Sequence, residues 1–208
     1  MPDQSSAPAG DEVPDRLRAA SEAADAGRFD EALGLLEEIL MEDPGHVAAL
    51  EQVAEHELEL GRLDRAAAAA EQAVALEPTS ALGLAALGQV HGEREAWVEA
   101  IDHLQRANKL RSNDPEILRR LGWSLFRGGQ RPQGVVTLER SLNLDPDNVF
   151  ALCDLGVVYL ELANYAKSKA LFSRVLQLDP ENERAHECLG TVQRLEKLDG
   201  KLPGKAAD

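Results

Sequence analysis

The sequence predicts an all-α protein built from stacked pairs of helices. Apolar residues make up 44% of the chain, and most of them are Ala and Leu, whereas aromatic residues make up only 4%. Because β-branched and aromatic residues are the types that favour strands, this composition favours helices. In addition, a pattern of small residues and prolines recurs every 34 residues, which is typical of a repeat architecture.

Two series of small residues carry the 34-residue interval. Leu-Gly steps end at Gly88, Gly122, Gly156 and Gly190. A second series runs through Ala32, Ala66, Ala100, Gly134 and Ser168. Proline follows an acidic residue at Pro44, Pro78, Pro146 and Pro180, whereas Pro115 comes three residues late. Since the Leu-Gly series keeps its spacing across Pro115, we expect the proline to have moved within its turn without any insertion.

Five repeats follow from this spacing, and each predicts two helices joined by a short turn. The repeats span residues 13–46, 47–80, 81–114, 115–148 and 149–182. In three repeats the turn contains a glycine (Gly27, Gly61 or Gly129), which suits a left-handed helix C-cap. Glu95 and Ala163 occupy that position in the other two repeats, and we expect those turns to close differently.

The small residues have a packing role in this arrangement. Where Gly122 of one helix faces Gly134 of its partner, the missing side chains allow the two backbones to approach closely. One helix pair has no means of burying both of its apolar faces, but stacked pairs bury them against each other.

These features together resemble the tetratricopeptide repeat family. The resemblance rests on the 34-residue period, the small residues, the closing proline and an aromatic or apolar residue after the turn (Phe29, Leu63, Trp97 and Tyr165). It covers residues 13–182 and implies a right-handed α-solenoid of five helix-turn-helix units. Residues 183–198 resemble the capping helix that closes such arrays. Repeat 2 fits least well, because Glu57 stands where an apolar residue is expected.

Charge and targeting signals disfavour several functional classes. The formal net charge is −15, from 37 acidic and 22 basic residues, which disfavours binding to nucleic acid or to anionic membranes. The N-terminus lacks the basic and apolar regions of a signal peptide, and no run of apolar residues is long enough to span a membrane. We therefore expect a cytoplasmic protein. The polar segments 1–12 and 199–208 are predicted to be disordered tails.

No catalytic motif is found, so the sequence predicts neither an enzyme nor a cofactor site. Cys153 and Cys188 fall on neighbouring first helices, and His186 lies beside Cys188. A metal site would need further ligands such as Asp154 or Glu187. Half-buried cysteines are common as small apolar side chains, so packing is the favoured interpretation and no metal site is predicted.

Binding residues are expected on a second face of the first helices, which the family resemblance implies to be a concave groove. In repeat 4 this face carries Arg119, Trp123 and Arg127 in an i, i+4, i+8 row. In repeat 5 it carries Phe150, Asp154 and Val157, and in repeat 2 it carries Glu51 and Glu55. The groove would be acidic near its N-terminal end and basic with aromatic residues toward its C-terminal half.

Two interpretations of the basic and aromatic residues remain open. In one, Arg119, Trp123, Arg127 and Phe150 hold a peptide with acidic and apolar residues, because Arg and Trp are enriched at binding hot spots. In the other, Trp123 packs between repeats and the arginines pair with surface carboxylates. The first interpretation predicts an adaptor or scaffold for a protein partner. A non-catalytic regulatory subunit of an enzyme and a self-associating structural protein remain alternatives.

Overall fold

The computed structural model describes residues 12–199, and within that range it contains eleven α-helices and no strand. The helices are α1 Glu12–Asp25, α2 Phe29–Glu42, α3 Val47–Glu59, α4 Leu63–Leu76, α5 Ala81–Glu93, α6 Trp97–Leu110, α7 Pro115–Arg127, α8 Arg131–Leu144, α9 Val149–Glu161, α10 Tyr165–Leu178 and α11 Glu183–Asp199. Each odd-numbered helix up to α9 packs against the helix that follows it. The all-α solenoid class predicted from the sequence is confirmed.

The described residues form two compact bodies, one ending at Leu110 and the other beginning at Arg111. The N-terminal body contains α1 to α6, and the C-terminal body contains α7 to α11. In the C-terminal body α7 and α11 both contact α9, while α8 and α10 pack behind them. The three odd-numbered helices of this body therefore lie next to one another, which positions the residues discussed below.

The turns within the five helix pairs share one backbone conformation, so the prediction that two of them close differently is wrong. Left-handed φ values occur at Gly27 (73°), Gly61 (68°), Glu95 (57°), Gly129 (90°) and Ala163 (56°). The same hydrogen bonds close each turn; for example, the Asn164 N–H donates to the Tyr159 carbonyl at 2.8 Å. These bonds hold Glu95 and Ala163 in a conformation that costs roughly 1–2 kcal/mol for a residue with a Cβ.

Close backbone approach explains the glycines of α7 and α8, as the sequence predicts. A Cβ added to Gly122 would lie 2.8 Å from the backbone nitrogen of Leu138 and 3.1 Å from the carbonyl oxygen of Gly134. A Cβ added to Gly134 would lie 2.6 Å from the backbone nitrogen of Phe126. Since real Cβ contacts are longer than this, both positions exclude larger residues unless the helices separate.

The late proline marks the start of a helix. Pro115 is the first residue of α7, where its missing N–H and fixed φ suit the helix. The Asp114 side chain caps α7 by accepting hydrogen bonds from the N–H groups of Glu116 (3.0 Å) and Ile117 (3.1 Å). The helices α5, α7 and α9 begin at residues 81, 115 and 149, so the 34-residue interval continues without an insertion.

The first and last helices can be compared with the predicted tails and the predicted capping helix. The helix α1 begins at Glu12 and α11 ends at Asp199, so each contains one residue that the sequence assigns to a disordered tail. Residues 1–11 and 200–208 of those tails lie outside the described residues. The repeat boundaries given above remain a prediction. No helix within residues 12–199 has both the length and the apolar character that crossing a membrane requires.

Candidate functional site

The C-terminal body brings together the predicted residues of repeats 4 and 5 on one surface, which we call the α7–α9 surface. It carries Arg119, Trp123, Arg127, Phe150, Asp154 and Val157. Contacts between the two helices connect these side chains: Arg119 reaches both Asp154 and the ring of Phe150, and Arg127 approaches Glu161. These contacts bring Arg119, Asp154 and Phe150 together across the two helices.

Arg119 is the centre of an ion-pair cluster. Its Nε donates to Glu116 Oε2 at 2.9 Å and its Nη2 donates to Glu116 Oε1 at 2.6 Å. Its Nη1 donates to Asp154 Oδ2 at 2.6 Å. Arg120 also donates to Glu116 Oε1, at 2.7 Å. The Arg119 guanidinium is thus bound by carboxylates on both sides, and its side chain is only 16% exposed.

Burial and pairing together set the charge states of this cluster. Burial works against ionised Arg119, but hydrogen bonding to Glu116 and the charges of Glu116 and Asp154 hold the pKa of Arg119 above its ordinary value. Burial also opposes ionised Glu116, yet its arginine partners bring the pKa of Glu116 below the usual range. For Asp154, burial outweighs the attraction of Arg119, so its pKa is raised. The difference follows exposure, because the Asp154 side chain is 8% exposed and that of Glu116 is 37% exposed.

A second arginine approaches Asp154 from α11. Arg184 Nη2 lies 3.8 Å from Asp154 Oδ1, which is an ion-pair distance but longer than a hydrogen bond. The Arg184 side chain is 53% exposed. Arg184 lies in the segment that resembles a capping helix, and the sequence does not assign it to the site. Its contact with Asp154 depends on how α11 packs against α9, and the repeat pattern gives no direct signal for it.

Phe150 provides an exposed apolar group beside this cluster. The residue is 65% exposed although it lies in a helix, and the guanidinium carbon of Arg119 is 5.7 Å from the centre of its ring. Arg119 is itself held by two carboxylates, so it supports one face of the Phe150 ring. Val157, two turns along α9, is half-buried.

Trp123 and Arg127 form a second aromatic and cationic pair. Trp123 is half-buried against the apolar cluster that includes Phe126 and Leu155. The guanidinium carbon of Arg127 lies 5.5 Å from the centre of the Trp123 ring, and Arg127 Nη1 lies 3.7 Å from Glu161 Oε1. The structure therefore contains features of both interpretations drawn from the sequence: Trp123 packs within the fold, the arginines pair with carboxylates, and Phe150 stays exposed.

The predicted acidic residues of repeat 2 lie in the N-terminal body. Glu51 and Glu55 are both half-buried on α3. The Ser80 hydroxyl donates to Glu51 Oε1 at 2.5 Å, and Ser80 also caps the N-terminus of α5 by accepting from the Gly83 N–H at 2.9 Å. Glu51 thus links α3 to the cap of the next first helix, which is a structural contact.

The two cysteines pack in the apolar interior of the C-terminal body. Cys153 is buried, Cys188 is half-buried, and both are free thiols in one cluster with Phe172 and Val192. Burial raises the pKa of each thiol, so both are protonated at neutral pH. Residues 12–199 contain no group of three or more metal-ligating side chains. The geometry agrees with the interpretation of these cysteines as packing residues.

Known proteins share the repeat and the fold. Models of the tetratricopeptide repeat match residues 23–90 and 149–182. Protein O-mannosyl-transferase TMTC1 of Homo sapiens is 24% identical over 177 residues, which cover 82% of this chain and 20% of that protein. Cytochrome c-type biogenesis protein CycH of Pseudomonas aeruginosa is 29% identical over 128 residues, which cover 60% of this chain and 31% of that protein. The chain thus spans less than a third of either relative.

A solved structure shows the same fold over most of the chain. TTC0263, a thermophilic TPR protein in Thermus thermophilus, matches with a TM-score of 0.76 at 21% identity, covering 88% of this chain and 99% of that one. The two matched repeat models, the paired helices at 34-residue intervals and this shared fold lead to one conclusion: the chain is a tetratricopeptide repeat protein.

Proposed function

We propose that this protein is a non-catalytic adaptor whose α7–α9 surface binds a peptide segment of a partner protein and so assists the assembly or regulation of a complex. The observation that carries the proposal is Phe150, a large aromatic side chain that is 65% exposed and supported on one face by Arg119. Protein interaction in general suits this fold, which stacks helices into extended surfaces.

The chemistry of the surface favours a segment with apolar and acidic residues. Phe150 and half-buried Trp123 offer aromatic contacts, while Arg127 and Arg184 bring positive charge to the same side of α9. Aromatic and arginine side chains are the types that contribute most at protein interfaces. A short segment fits better than a large globular partner, because the candidate residues occupy a few turns of two adjacent helices.

The proposal includes a non-catalytic role and a cytoplasmic location. The described part of the chain consists of five helix pairs and α11, and the ionisable cluster of the α7–α9 surface is held in internal ion pairs, which suits binding better than proton transfer. One relative is named as a transferase, but this chain matches only 20% of that protein. The name therefore does not transfer an activity to this chain.

The test begins with peptides selected from a random library displayed at the N-terminus of a phage coat protein. The affinity of the strongest binder is then measured for the wild type, Phe150→Ala and Val136→Ala. Val136 is a matched control, because it is 64% exposed on α8 and lies outside the α7–α9 surface. We expect Phe150→Ala to weaken binding by roughly thirtyfold, which corresponds to about 2 kcal/mol at a hot spot.

The control variant should bind the peptide like the wild type. Because both side chains are exposed, far-UV circular dichroism and thermal midpoints should stay close to those of the wild type for both variants. Equal losses for Phe150→Ala and Val136→Ala, or no loss for either, would show that the α7–α9 surface is not the binding site.

A further inference from the structure

We infer that Arg184 of α11 selects an acidic side chain in the bound peptide, next to the apolar side chain that packs against Phe150. This inference rests on the proposed function and names the partner's chemistry at the same surface. It also gives α11, which the sequence predicts only as a capping helix, a direct part in binding.

Arg119 is not available for this task, although it lies at the centre of the surface. All three of its nitrogen groups donate to carboxylates, at 2.6 to 2.9 Å, and the side chain is only 16% exposed. Binding a ligand carboxylate through Arg119 would break a hydrogen bond to Glu116 or Asp154. Leaving a buried carboxylate without its ion-pair partner costs free energy. Arg119 therefore stabilises the surface and does not contact the charged group of the ligand.

Arg184, in contrast to Arg119, is exposed and lies farther from its carboxylate neighbour. Its carboxylate neighbour, Asp154, is already satisfied on Oδ2 by Arg119, and Arg184 lies 3.8 Å from the other oxygen, Oδ1. The attraction of Asp154 holds the guanidinium near the surface without the short hydrogen bond that would fix its orientation. With 53% of the side chain exposed, Arg184 is able to donate to an incoming carboxylate and keep Asp154 as a neighbour.

Arg127 is a weaker candidate for the same role. Its guanidinium lies over the ring of Trp123 at 5.5 Å, and its carboxylate neighbour Glu161 is itself 38% exposed on α9. An acidic ligand at Arg127 would therefore meet an exposed carboxylate beside the cation. At Arg184 the paired carboxylate, Asp154, is only 8% exposed, so it competes less with a ligand for contact with the cation.

The positions of Phe150 and Arg184 set the spacing expected in the peptide. Phe150 and Asp154 are four residues apart on α9, which is about 6 Å along the helix axis. Since Arg184 reaches Asp154 from α11, we infer a similar separation between the apolar contact and the cation. In an extended peptide about 6 to 7 Å separates residues i and i+2, whose side chains point the same way. The surface therefore suits an extended segment with an apolar residue two positions from an Asp or Glu.

A double-mutant cycle tests this inference with the phage-selected peptide described above. The peptide is attached to the coat protein through its C-terminus during selection, so only side-chain carboxylates are presented. Affinities are measured for the acidic peptide and for its Asp→Asn or Glu→Gln counterpart, against the wild type and Arg184→Gln. Arg194→Gln is the control, because Arg194 is also exposed on α11 and bonds Thr191 on its own helix.

We expect Arg184→Gln to weaken binding of the acidic peptide by about tenfold and to leave binding of the amide peptide unchanged to within about twofold. The preference of the wild type for the acidic peptide should also fall as salt is raised, and Arg194→Gln should behave like the wild type. Selected peptides that lack acidic residues, or equal losses of both peptides with Arg184→Gln, would overturn the inference.

The outcomes separate this inference from the proposed function. If binding depends on Phe150 but not on Arg184, the inference fails and the peptide-binding surface stands. If the wild type selects no peptide, or if binding is insensitive to Phe150→Ala, the proposed function fails and the role of Arg184 fails with it.

Discussion

Glu57 is a fully buried carboxylate at a position where the repeat pattern predicts an apolar residue. Its Oε1 lies 2.8 Å from Arg65 Nε, and its Oε2 lies 3.5 Å from Arg62 Nη1. The same two arginines also reach the preceding helix pair, Arg62 through Asp30 and Arg65 through Glu37, both at 3.1 Å. The exception to the pattern is thus part of an ion-pair network that joins two consecutive helix pairs of the N-terminal body.

Removal of the Glu57 carboxylate should destabilise the N-terminal body. We expect Glu57→Ala to lower the free energy of unfolding by about 2 kcal/mol, because it leaves a cavity and removes the buried partner of two arginines. This value is below the usual cost for a buried pair, since Arg62 and Arg65 are 40% and 57% exposed and water can hydrate them. Urea unfolding followed by circular dichroism measures the change.

Glu59→Ala is the matched control, because Glu59 is an exposed residue near the end of the same helix. Its effect should stay within about 0.5 kcal/mol. Similar small effects for both substitutions would mean that the network around Glu57 adds nothing to stability. A stabilising effect of Glu57→Ala would show that the free-energy cost of burying the Glu57 carboxylate exceeds the stabilisation from its ion pairs.

At the candidate site, residue types could be predicted from the sequence but their pairing could not. The i, i+4, i+8 spacing correctly places Arg119, Trp123 and Arg127 along one side of α7. That Arg119 is bound by Asp154, 35 residues later, follows from the packing of α7 against α9 and from the rotamer of a long side chain. The role of the guanidinium depends on this contact, so the sequence left two interpretations open.

At the scale of single helices and turns, the period predicted each helix pair, while turn geometry was predicted only where glycine marks it. Glu95 and Ala163 adopt the left-handed conformation because the helices on both sides fix the turn, and the hydrogen bonds override local preference. The period itself thus gave better information on these turns than the residue at the turn.

The space around the glycines of the Leu-Gly steps shows which helices have a second helix packed closely against them. At Gly88, Gly122 and Gly156 an added Cβ would lie within 2.4 to 2.8 Å of Leu104, Leu138 or Phe172 on the following helix. At Gly190 of α11 an added Cβ would meet nothing within 4 Å. The sequence shows the same Leu-Gly step in all four places, but the packing demand exists only in the first three.

Alanine substitutions at Gly122 and Gly190 should therefore change stability in opposite directions. We expect Gly122→Ala to destabilise the C-terminal body by roughly 1–3 kcal/mol, because the methyl group would meet the backbone of α8. We expect Gly190→Ala to stabilise it by up to about 1 kcal/mol, because alanine is the better helix former. Urea unfolding of both variants checks the pair, and a loss of stability with Gly190→Ala would contradict the open environment of that position.

At the scale of the whole molecule, the sequence predicted one unbroken array, whereas the described residues divide into two compact bodies after Leu110. The Leu-Gly series crosses that point without interruption, which is why the period gave no sign of it. An irregularity near this point is the late proline, Pro115, which begins α7 just after the division, with Asn113 in the left-handed region before it.

The overall charge of −15 disfavours an acidic ligand at long range, yet the proposed ligand is acidic. Salt screening weakens this long-range repulsion, because charges more than about 8 Å away are largely screened at physiological ionic strength. In the proposed complex, Arg184 is then the charge nearest to the ligand's carboxylate. Composition therefore disfavours a nucleic-acid partner, while the preference among protein partners depends on the few side chains nearest the ligand.

The central claim is that the C-terminal body binds a peptide on its α7–α9 surface, and the two tryptophans of the chain offer a direct measurement. Trp97 begins α6 in the N-terminal body, and Trp123 lies on the α7–α9 surface. In a titration of ¹⁵N-labelled protein with the selected peptide, the two indole N–H signals are followed by NMR and assigned with Trp123→Phe. We expect the Trp123 signal to shift saturably while the Trp97 signal stays in place. A shift of Trp97 with Trp123 unmoved, or saturable binding that moves neither signal, would contradict the account.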